Sequence, residues 1–268
     1  MFSCNYHTHT KRCGHATGED EEYVLEAISK GMRKLGFSDH AMLPDFSEPY
    51  VRGEYSEFSD YVDSIRKLQN KYKDRIDIYL GMEAESFPEY FTYYKELLNT
   101  RALDYIILGN HDQMNFKTKT IVTRFSNITS ASQLYAYRDL AIEALTSGIF
   151  SIFAHPDYFL RSIDNFDSDC RKVSRNMIEC CIAFDIPLEV NIGGIRNGKK
   201  DFEGTERWIY PTDEFFSMVS RYHATCIFGE DAHSPQQLND SAADYLAVEF
   251  AKRHALDMID DLETIEHR

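Results

Sequence analysis

Short apolar segments alternate with amphipathic segments along most of the chain. Each strand-like segment is rich in β-branched and aromatic residues, ends near a polar residue, and is followed by apolar residues at helical spacing. This alternation is typical of βαβ units that form a parallel sheet. The predicted strands are residues 1–9, 34–38, 76–80, 105–108, 149–154, 187–190 and 224–228.

The predicted helices are marked by their ends or by their apolar stripes. The first begins at a capping-box-like segment, Thr17 to Asp20, and closes with Lys30 and Gly31, as the helix dipole and the C-terminal preference for glycine favour. Apolar stripes predict two more helices over residues 58–72 and 173–184. The tail, residues 241–268, predicts one or two further helices.

Seven parallel strands with crossover helices can form an open doubly wound sheet or a closed barrel, and the local pattern fits both. The strand ends decide between them, because most carry a side chain that can bind metal. Only a closed barrel brings all these ends around one mouth. We therefore predict an α/β fold, a TIM-like (β/α)7 barrel, as one domain over residues 1–268. The strand ends are His9, His40, Glu83, His111, His155, Asn191 and Asp231.

Composition and charge narrow the class of protein. With 43% hydrophobic residues the chain can bury a sizeable core. A formal net charge of -15 repels nucleic acid and anionic lipid, so an anionic substrate would need a local cation. The six cysteines show no CxxC spacing, and neither a secretory segment nor a bilayer-spanning run is seen. We expect a soluble cytoplasmic protein without a membrane or nucleic-acid partner.

Two pairs of metal-binding side chains stand at opposite ends of the sequence. His7 and His9 are two residues apart, and Asp231 and His233 repeat that spacing after another β segment. Alternate strand residues face the same side, so each pair can bind one ion. One HxH pair is weak evidence, because most histidines are structural. A second pair at a strand end favours a metal site.

The remaining candidates come singly. Together with the two pairs they make nine, which exceeds the needs of one ion, and Glu83 could bridge two ions. Imidazole and carboxylate donors suit Zn, Fe or Mn, so we predict two or three divalent transition-metal ions. Cys13 is interpreted as a buried small residue, since the other donors suffice. The single candidates are His15 in the first loop and His40, Glu83, His111 and His155 at strand ends.

These residues fall in motifs that follow one another through nearly the whole chain. The motifs are Tyr6-His-Thr-His-Thr10, Cys13-Gly-His-Ala16, Gly36-Phe-Ser-Asp-His40, Gly81-Met-Glu83, His111, Ala154-His-Pro-Asp157, Glu189-Val-Asn191 and Asp231-Ala-His233. Each motif alone is unspecific, but their combination in this order is highly specific. In it the chain resembles the polymerase and histidinol phosphatase (PHP) family of metal-dependent hydrolases.

The resemblance implies a distorted seven-stranded barrel with a three-metal centre. The implied ligands are His7, His9, Glu83 and Asp231 for one ion, Glu83, His111 and His155 for a second, and His15, His40 and His233 for a third. Arg161 and Arg196 resemble the family's phosphate-binding basic positions. Two residues depart from the usual pattern of the family: Glu230 stands in place of a serine, and Asn110 in place of a small or apolar residue. Neither departure removes a ligand.

The resemblance also implies a phosphomonoesterase, within the branch of the family that hydrolyses L-histidinol phosphate to L-histidinol and phosphate in histidine biosynthesis. We expect direct attack by a hydroxide that bridges the metals, because no nucleophile motif such as GxSxG is present. Asp231 or His233 could return a proton to the leaving alkoxide. Two alternatives stay open: a PHP phosphoesterase for nucleotides, oligonucleotides or phosphotyrosine, and a non-catalytic, metal-stabilised PHP domain.

Overall fold

The computed structural model describes residues 2–262. The strands are β1 (Cys4–Asn5), β2 (Lys34–Phe37), β3 (Asp77–Ala84), β4 (Tyr105–Leu108), β5 (Asp112–Asn115), β6 (Thr120–Arg124), β7 (Ile152–Phe153), β8 (Leu188–Asn191), β9 (Lys199–Phe202), β10 (Thr205–Trp208), β11 (Thr225–Gly229) and β12 (Asp257–Ile259). The α-helices are α1 (Asp20–Lys30), α2 (Phe58–Tyr72), α3 (Phe91–Asn99), α4 (Ala131–Leu145), α5 (Ser168–Ala183), α6 (Ile192–Arg196), α7 (Asp213–Tyr222) and α8 (Ser241–Arg253).

One curled parallel sheet organises the fold. Its strand order is β1-β2-β3-β4-β7-β8-β11-β12, so strands that follow one another along the chain through crossover helices pair side by side. The sheet closes at its C-terminal edge through a parallel bridge between Thr8 and Ala232, where the amide of His9 donates to the Ala232 carbonyl at 2.9 Å. The predicted TIM-like α/β barrel is confirmed, in a distorted form.

The distortion comes from the segments beside this closure. Strand β1 covers only residues 4–5 of the predicted 1–9, because the side chain of Asn5 bonds to the backbone amide of His7 and to Thr8 and so ends the regular ladder. Residue 1 lies outside the described residues. At the opposite end of the barrel, β12 pairs with β11, Thr225 opposite Asp257.

Two further findings differ from the sequence prediction. The tail forms α8 as expected, but β12 stands where a second helix was one option; residues 263–268 lie outside the described part of the chain. Two hairpins, β5–β6 and β9–β10, were not predicted. Both are mostly polar and half exposed, so they lack the alternation of apolar residues that marks a strand.

The helices pack their apolar stripes on the sheet, as predicted. In α2 the buried positions Tyr61, Ile65, Leu68 and Tyr72 recur at helical spacing. Helix α1 ends at Gly31 with φ 81°, as expected, but its capping box is formed by Glu19 and Glu22, two residues later than predicted. No helix within residues 2–262 combines the length and apolar character needed to cross a bilayer.

Candidate metal centre

All nine predicted ligands converge at the C-terminal mouth of the barrel. They surround a cavity of about 280 Å³, which eight of them line, with His7 buried beneath it at 1% exposure. Parallel strands deliver their C-terminal ends to the same edge, and closure of the sheet then makes that edge a ring. The residues that sequence separates by more than two hundred positions therefore meet here.

Four donor atoms form a compact group at the centre. The Nε2 atoms of His7 and His9 lie 3.1 Å apart, and each lies 3.4–3.5 Å from Glu83 Oε2 and from Asp231 Oδ1. A tetrahedral ion with bonds of about 2.0–2.1 Å holds its ligand atoms about 3.4 Å apart. The group therefore fits a single divalent ion.

The other oxygen of Glu83 belongs to a second group. Glu83 Oε1 lies 2.8 Å from His155 Nε2 and 3.4 Å from His111 Nε2, and the two imidazole nitrogens are 3.2 Å apart. Because Oε2 faces the first group, the carboxylate spans both groups with one oxygen each. This is the bridging arrangement that the sequence predicted for Glu83.

The remaining three histidines lie at the outer side of the cavity. The Nε2 atoms of His15 and His233 are 3.1 Å apart. The ring of His40 lies 5.6 Å from that of His15 between centroids, but its Nδ1 faces Glu83 Oε2 at 3.2 Å. The structure thus brings His40 close to both the first group and the outer pair, and its assignment to a third ion stays a prediction.

Buried carboxylates hold the imidazoles in position. His7 Nδ1 lies 2.7 Å from Glu189 Oε1, and His111 Nδ1 lies 2.8 Å from Glu85 Oε1. Each carboxylate accepts the proton of Nδ1, which leaves the Nε2 lone pair free to face the cavity. In the sequence Glu189 stands only as part of the motif Glu189-Val-Asn191, without a role of its own. The spacing to the histidines is visible only in three dimensions.

These contacts set the charge of the site. Burial would raise the pKa of Glu83, but the surrounding histidines, His111 foremost, hold it well below its usual range. Burial lowers the pKa of His111, yet Glu85 and then Glu83 raise it to about 9. Burial lowers the pKa of His233 to about 4. The Glu83 carboxylate is therefore ionised at neutral pH, as a cation site requires.

Two glycines permit these close approaches. A Cβ atom at Gly109, just after β4, would lie 2.3 Å from Glu83 Oε1. At Gly229, the last residue of β11, it would lie 1.7 Å from Glu189 Oε1. Both distances are far shorter than any non-bonded contact, so only glycine leaves room for the carboxylates that bridge and orient the ligands.

Three neighbours of the ligands point elsewhere. Asp39 and Asp112 each stand beside a ligand histidine in the sequence, but Asp39 accepts from the Thr10 amide at 2.6 Å, and Asp112 pairs with Arg124 at 3.0 Å. Asn110 donates to the carbonyl of Tyr137 at 2.9 Å, away from the cavity. None of the three makes a hydrogen bond to an imidazole here.

The two predicted phosphate-binding arginines occupy different places. Arg161 lines the cavity and lies over the ring of Tyr158 at 4.8 Å, without a carboxylate partner within residues 2–262. Arg196 does not line it: Nη1 pairs with Glu230 Oε2 at 2.9 Å, and Nη2 donates to the carbonyls of Glu230 and Asp231. The predicted contact of Arg196 with phosphate is therefore not supported, because Glu230 holds its guanidinium behind the site.

Sequence reasoning missed much of the rim. Arg124, on β6, lines the cavity and pairs with Asp112 and Glu48, and the rings of Tyr158 and Tyr210 line it too. Arg124 belongs to a hairpin that the apolar pattern does not reveal. A lone arginine in an unpredicted segment carries no sequence signal, and the tyrosines read as ordinary core residues.

Known proteins are similar to this chain over most of its length. A family model described as PHP domain matches residues 5–192. The chain belongs to the PHP domain family. This PHP protein is 25% identical over 243 residues to a "probable histidinol-phosphatase" of Deinococcus radiodurans, with 90% of each chain covered. It is 24% identical to the histidinol-phosphatase of Bacillus subtilis, which covers 85% of this chain and 92% of that one.

A solved structure shares the fold of this PHP protein. The histidinol phosphate phosphatase from Lactococcus lactis subsp. lactis, complexed with Zn, L-histidinol and phosphate, superimposes with a TM-score of 0.70 at 17% identity. The match covers 96% of this chain and 95% of the other. Fold likeness therefore extends over almost the whole PHP protein, beyond the residues that the family model matches.

Proposed function

We propose that the chain is a metal-dependent phosphomonoesterase and that L-histidinol phosphate is its substrate. The observation that carries the proposal is the pair of ligand groups that share Glu83, each with donor atoms at the spacing of a bound ion. Beside them lies the guanidinium of Arg161, which has no carboxylate partner among residues 2–262. The histidinol-phosphatase names of relatives over most of the chain support the substrate.

The chain offers ligands for two or three ions of Zn, Fe or Mn. His7, His9, Glu83 and Asp231 would hold one, Glu83, His111 and His155 a second, and His15, His40 and His233 a third. Such ions supply charge neutralisation for the phosphate and activate water near neutral pH. The imidazole nitrogens and the ionised carboxylates of Glu83 and Asp231 fit this set of ions.

The protein's own groups then bind and orient the substrate. Arg161 can donate two parallel hydrogen bonds to phosphate oxygens, and the ring of Tyr158 beneath it fixes the plane of the guanidinium. In a surface whose formal net charge is -15, this cation provides the local attraction that a phosphate needs. The negative surroundings suit the cationic amino group of histidinol phosphate.

Asp231 and His233 stand where protons are exchanged. Burial would raise the pKa of Asp231, but His7 and then its other histidine neighbours hold it well below its usual range, so its carboxylate is ionised in the resting site. His233 is neutral at pH 7. We infer that both groups accept a proton from water and pass it on to the leaving alkoxide through solvent.

Metal analysis and a substrate panel test this function. The purified protein should contain two or three equivalents of transition metal and release phosphate from L-histidinol phosphate faster than from a nucleoside monophosphate, phosphotyrosine or phosphoserine. Glu83→Gln should lose both metal and turnover, because it removes the bridge. Preference for another monoester would overturn the substrate, and bound metal without any turnover would favour a non-catalytic PHP domain.

The six cysteines bear on the cellular location. All six are free, although five are buried. Unpaired thiols persist in reducing compartments, which supports the cytoplasm as the place where the enzyme works. Detection of the activity in a soluble cytoplasmic fraction would test this assignment, and its recovery only from a secreted fraction would contradict it.

A further inference from the structure

Behind the metal centre lies a chain of four buried charges that the proposed reaction does not use. Lys30 Nζ lies 2.6 Å from Glu230 Oε1 and 2.8 Å from Asp244 Oδ2, and Arg196 Nη1 lies 2.9 Å from Glu230 Oε2. The side chains of Lys30 and Glu230 are each only 1% exposed. The four residues come from α1, α6, α8 and the turn after β11, so they join four elements.

Stability alone does not account for this arrangement. Taking charges out of water costs several kcal/mol per ion, and well-packed apolar residues would often serve the fold as well or better. An uncharged side chain at position 230 would need none of these partners. The cluster therefore calls for a role other than holding the helices together.

The contacts of Arg196 show what the cluster acts on. Its Nη2 donates to the carbonyl of Glu230 and lies 3.4 Å from the carbonyl of Asp231. One nitrogen therefore holds the backbone carbonyl before Asp231 and the carbonyl of Asp231 itself. Asp231 has φ 48°, in the left-handed region that a non-glycine residue adopts only at a cost. From this conformation its Oδ1 faces His7 and His9.

A second contact fixes the same turn from the other side. The amide of Glu230 donates to Asn5 Oδ1 at 2.9 Å, and Asn5 precedes the His7–His9 pair. The backbone of Glu230 is thus bound to the segment that carries His7 and His9. Its side chain is bound to Arg196, which holds the backbone of Asp231. Movement of Glu230 would shift Asp231 relative to both histidines.

We propose that Glu230, neutralised by Lys30, positions Arg196 as a backbone clamp that keeps the Asp231 carboxylate aimed at the first metal group. Glu230 and Arg196 are positioning residues in this scheme, since neither faces the cavity. The inference rests on the proposed metal centre but not on which substrate the enzyme hydrolyses. It also explains why Arg196 is unavailable for phosphate.

The test measures metal affinity, with activity as a secondary readout. Glu230→Gln keeps the shape of the side chain but removes the charge that orients Arg196, and Arg196→Lys keeps the positive charge but cannot reach both Glu230 and the carbonyls with one planar fork. Each should weaken retention of one equivalent of zinc by about 10- to 100-fold in competition with a chromophoric chelator, as is usual when support for a metal ligand is lost.

A matched control separates positioning from general loosening. Asp104→Asn breaks the 2.8 Å ion pair with Arg66 at the opposite end of the barrel and should leave zinc affinity unchanged. Cobalt-loaded Glu230→Gln should also show an altered visible spectrum, because the geometry of the Asp231 ligand changes.

Three outcomes would overturn the proposal: wild-type zinc affinity in both test variants, an equal loss of affinity in Asp104→Asn, or loss of affinity only in variants whose metal-free form is already unfolded at the assay temperature. Should Glu230→Gln fail to fold, Arg196→Lys carries the test alone. If zinc affinity falls as expected in the variants but the wild-type protein has no phosphatase activity, the proposed function is contradicted and this inference still holds.

Discussion

At the scale of single residues, the site depends on side chains that each make two contacts. Glu83 gives one oxygen to each ligand group, and Glu85 binds both the ring and the backbone amide of His111, at 2.8 and 2.7 Å. Such residues fix angles as well as distances, which is why their loss affects several neighbours at once. Single contacts, such as the one proposed between Arg161 and phosphate, can be removed with smaller consequences.

Replacement of Arg161 tests its proposed phosphate contact. Arg161→Ala removes charge-assisted hydrogen bonds worth about 1.5–3 kcal/mol, so kcat/KM for L-histidinol phosphate should fall by about 10- to 100-fold. Arg161→Lys should recover only part of the loss, because an ammonium cannot form the planar fork. Inhibition by inorganic phosphate should weaken in parallel. Unchanged phosphate inhibition in both variants would exclude Arg161 from the phosphate site.

Replacement of Glu85 by glutamine tests its effect on His111. The raised pKa of His111, about 9, means that the metal-free protein holds a proton there at pH 7, which a metal must displace. Apparent zinc affinity should therefore rise between pH 6 and 9. The raised pKa stabilises the metal-free fold fully below the unfolded value of about 6.5, and this stabilisation is lost as the pH rises through about 9.

In Glu85→Gln both pH dependences should flatten, and zinc affinity at high pH should fall by about 10- to 100-fold because the ring loses its orienting carboxylate. Chelator competition and thermal unfolding of the metal-free protein across this pH range measure the two effects. A zinc affinity whose pH profile is the same in the variant and the wild type would show that Glu85 does not control the protonation of His111.

At the scale of elements, the site depends on how closely neighbouring strand ends approach. The segment after β4 passes so near to β3 that a Cβ atom at Gly109 would lie 2.3 Å from Glu83 Oε1. A strand end can bring a ligand into the ring only if the next strand leaves room for it. This requirement is local in space but not in sequence, since helix α3 lies between Glu83 and Gly109 along the chain.

Gly109→Ala tests this close approach. The added methyl group would displace Glu83 Oε1 and should lower metal content and turnover together, although no ligand is changed. Gly148→Ala is the matched control: its Cβ meets nothing within 4 Å, but its φ of 73° costs about 1–2 kcal/mol in a non-glycine residue. That control should lose stability and keep its metal. Full metal occupancy in Gly109→Ala would contradict the argument.

The elements also show what the sequence could and could not predict. The predicted strands that the structure contains include β2, β3, β4, β8 and β11. They were predicted because each is a short apolar run that alternates with helical patterns, as in a βαβ fold. The nine candidate ligands followed from their positions at or near strand ends. The hairpins, β12 and the role of Glu189 were missed, because they depend on partners that only the closed barrel brings near. Arg196 was predicted to contact phosphate, but it lies behind the site, because Glu230 pairs with its guanidinium. This pairing, too, is visible only in the folded chain.

At the scale of the whole molecule, metal ions would tie together segments from β1 to the turn after β11. Metals that bind only the folded state stabilise it, by about 4 kcal/mol when their concentration is a thousand times Kd. Removal of metal by a chelator should therefore lower the unfolding temperature by roughly 10 °C for a chain of this size, reversibly on return of zinc.

Differential scanning calorimetry measures this shift, and Glu83→Gln provides the control, because a protein that cannot hold the metals should unfold at the same temperature with and without chelator. An equal shift in the variant would mean that the chelator acts on the fold by another route. A wild-type protein that is indifferent to the chelator would mean that the ions contribute nothing to the barrel.

The closure of the barrel through Thr8 and Ala232 has a consequence for biosynthesis on the ribosome. The earliest histidines to emerge cannot meet Asp231 and His233 until almost all of the polypeptide has been translated. The nascent chain therefore carries no working enzyme for most of its synthesis, and catalytic competence arrives in one late step, when the last ligands join the first.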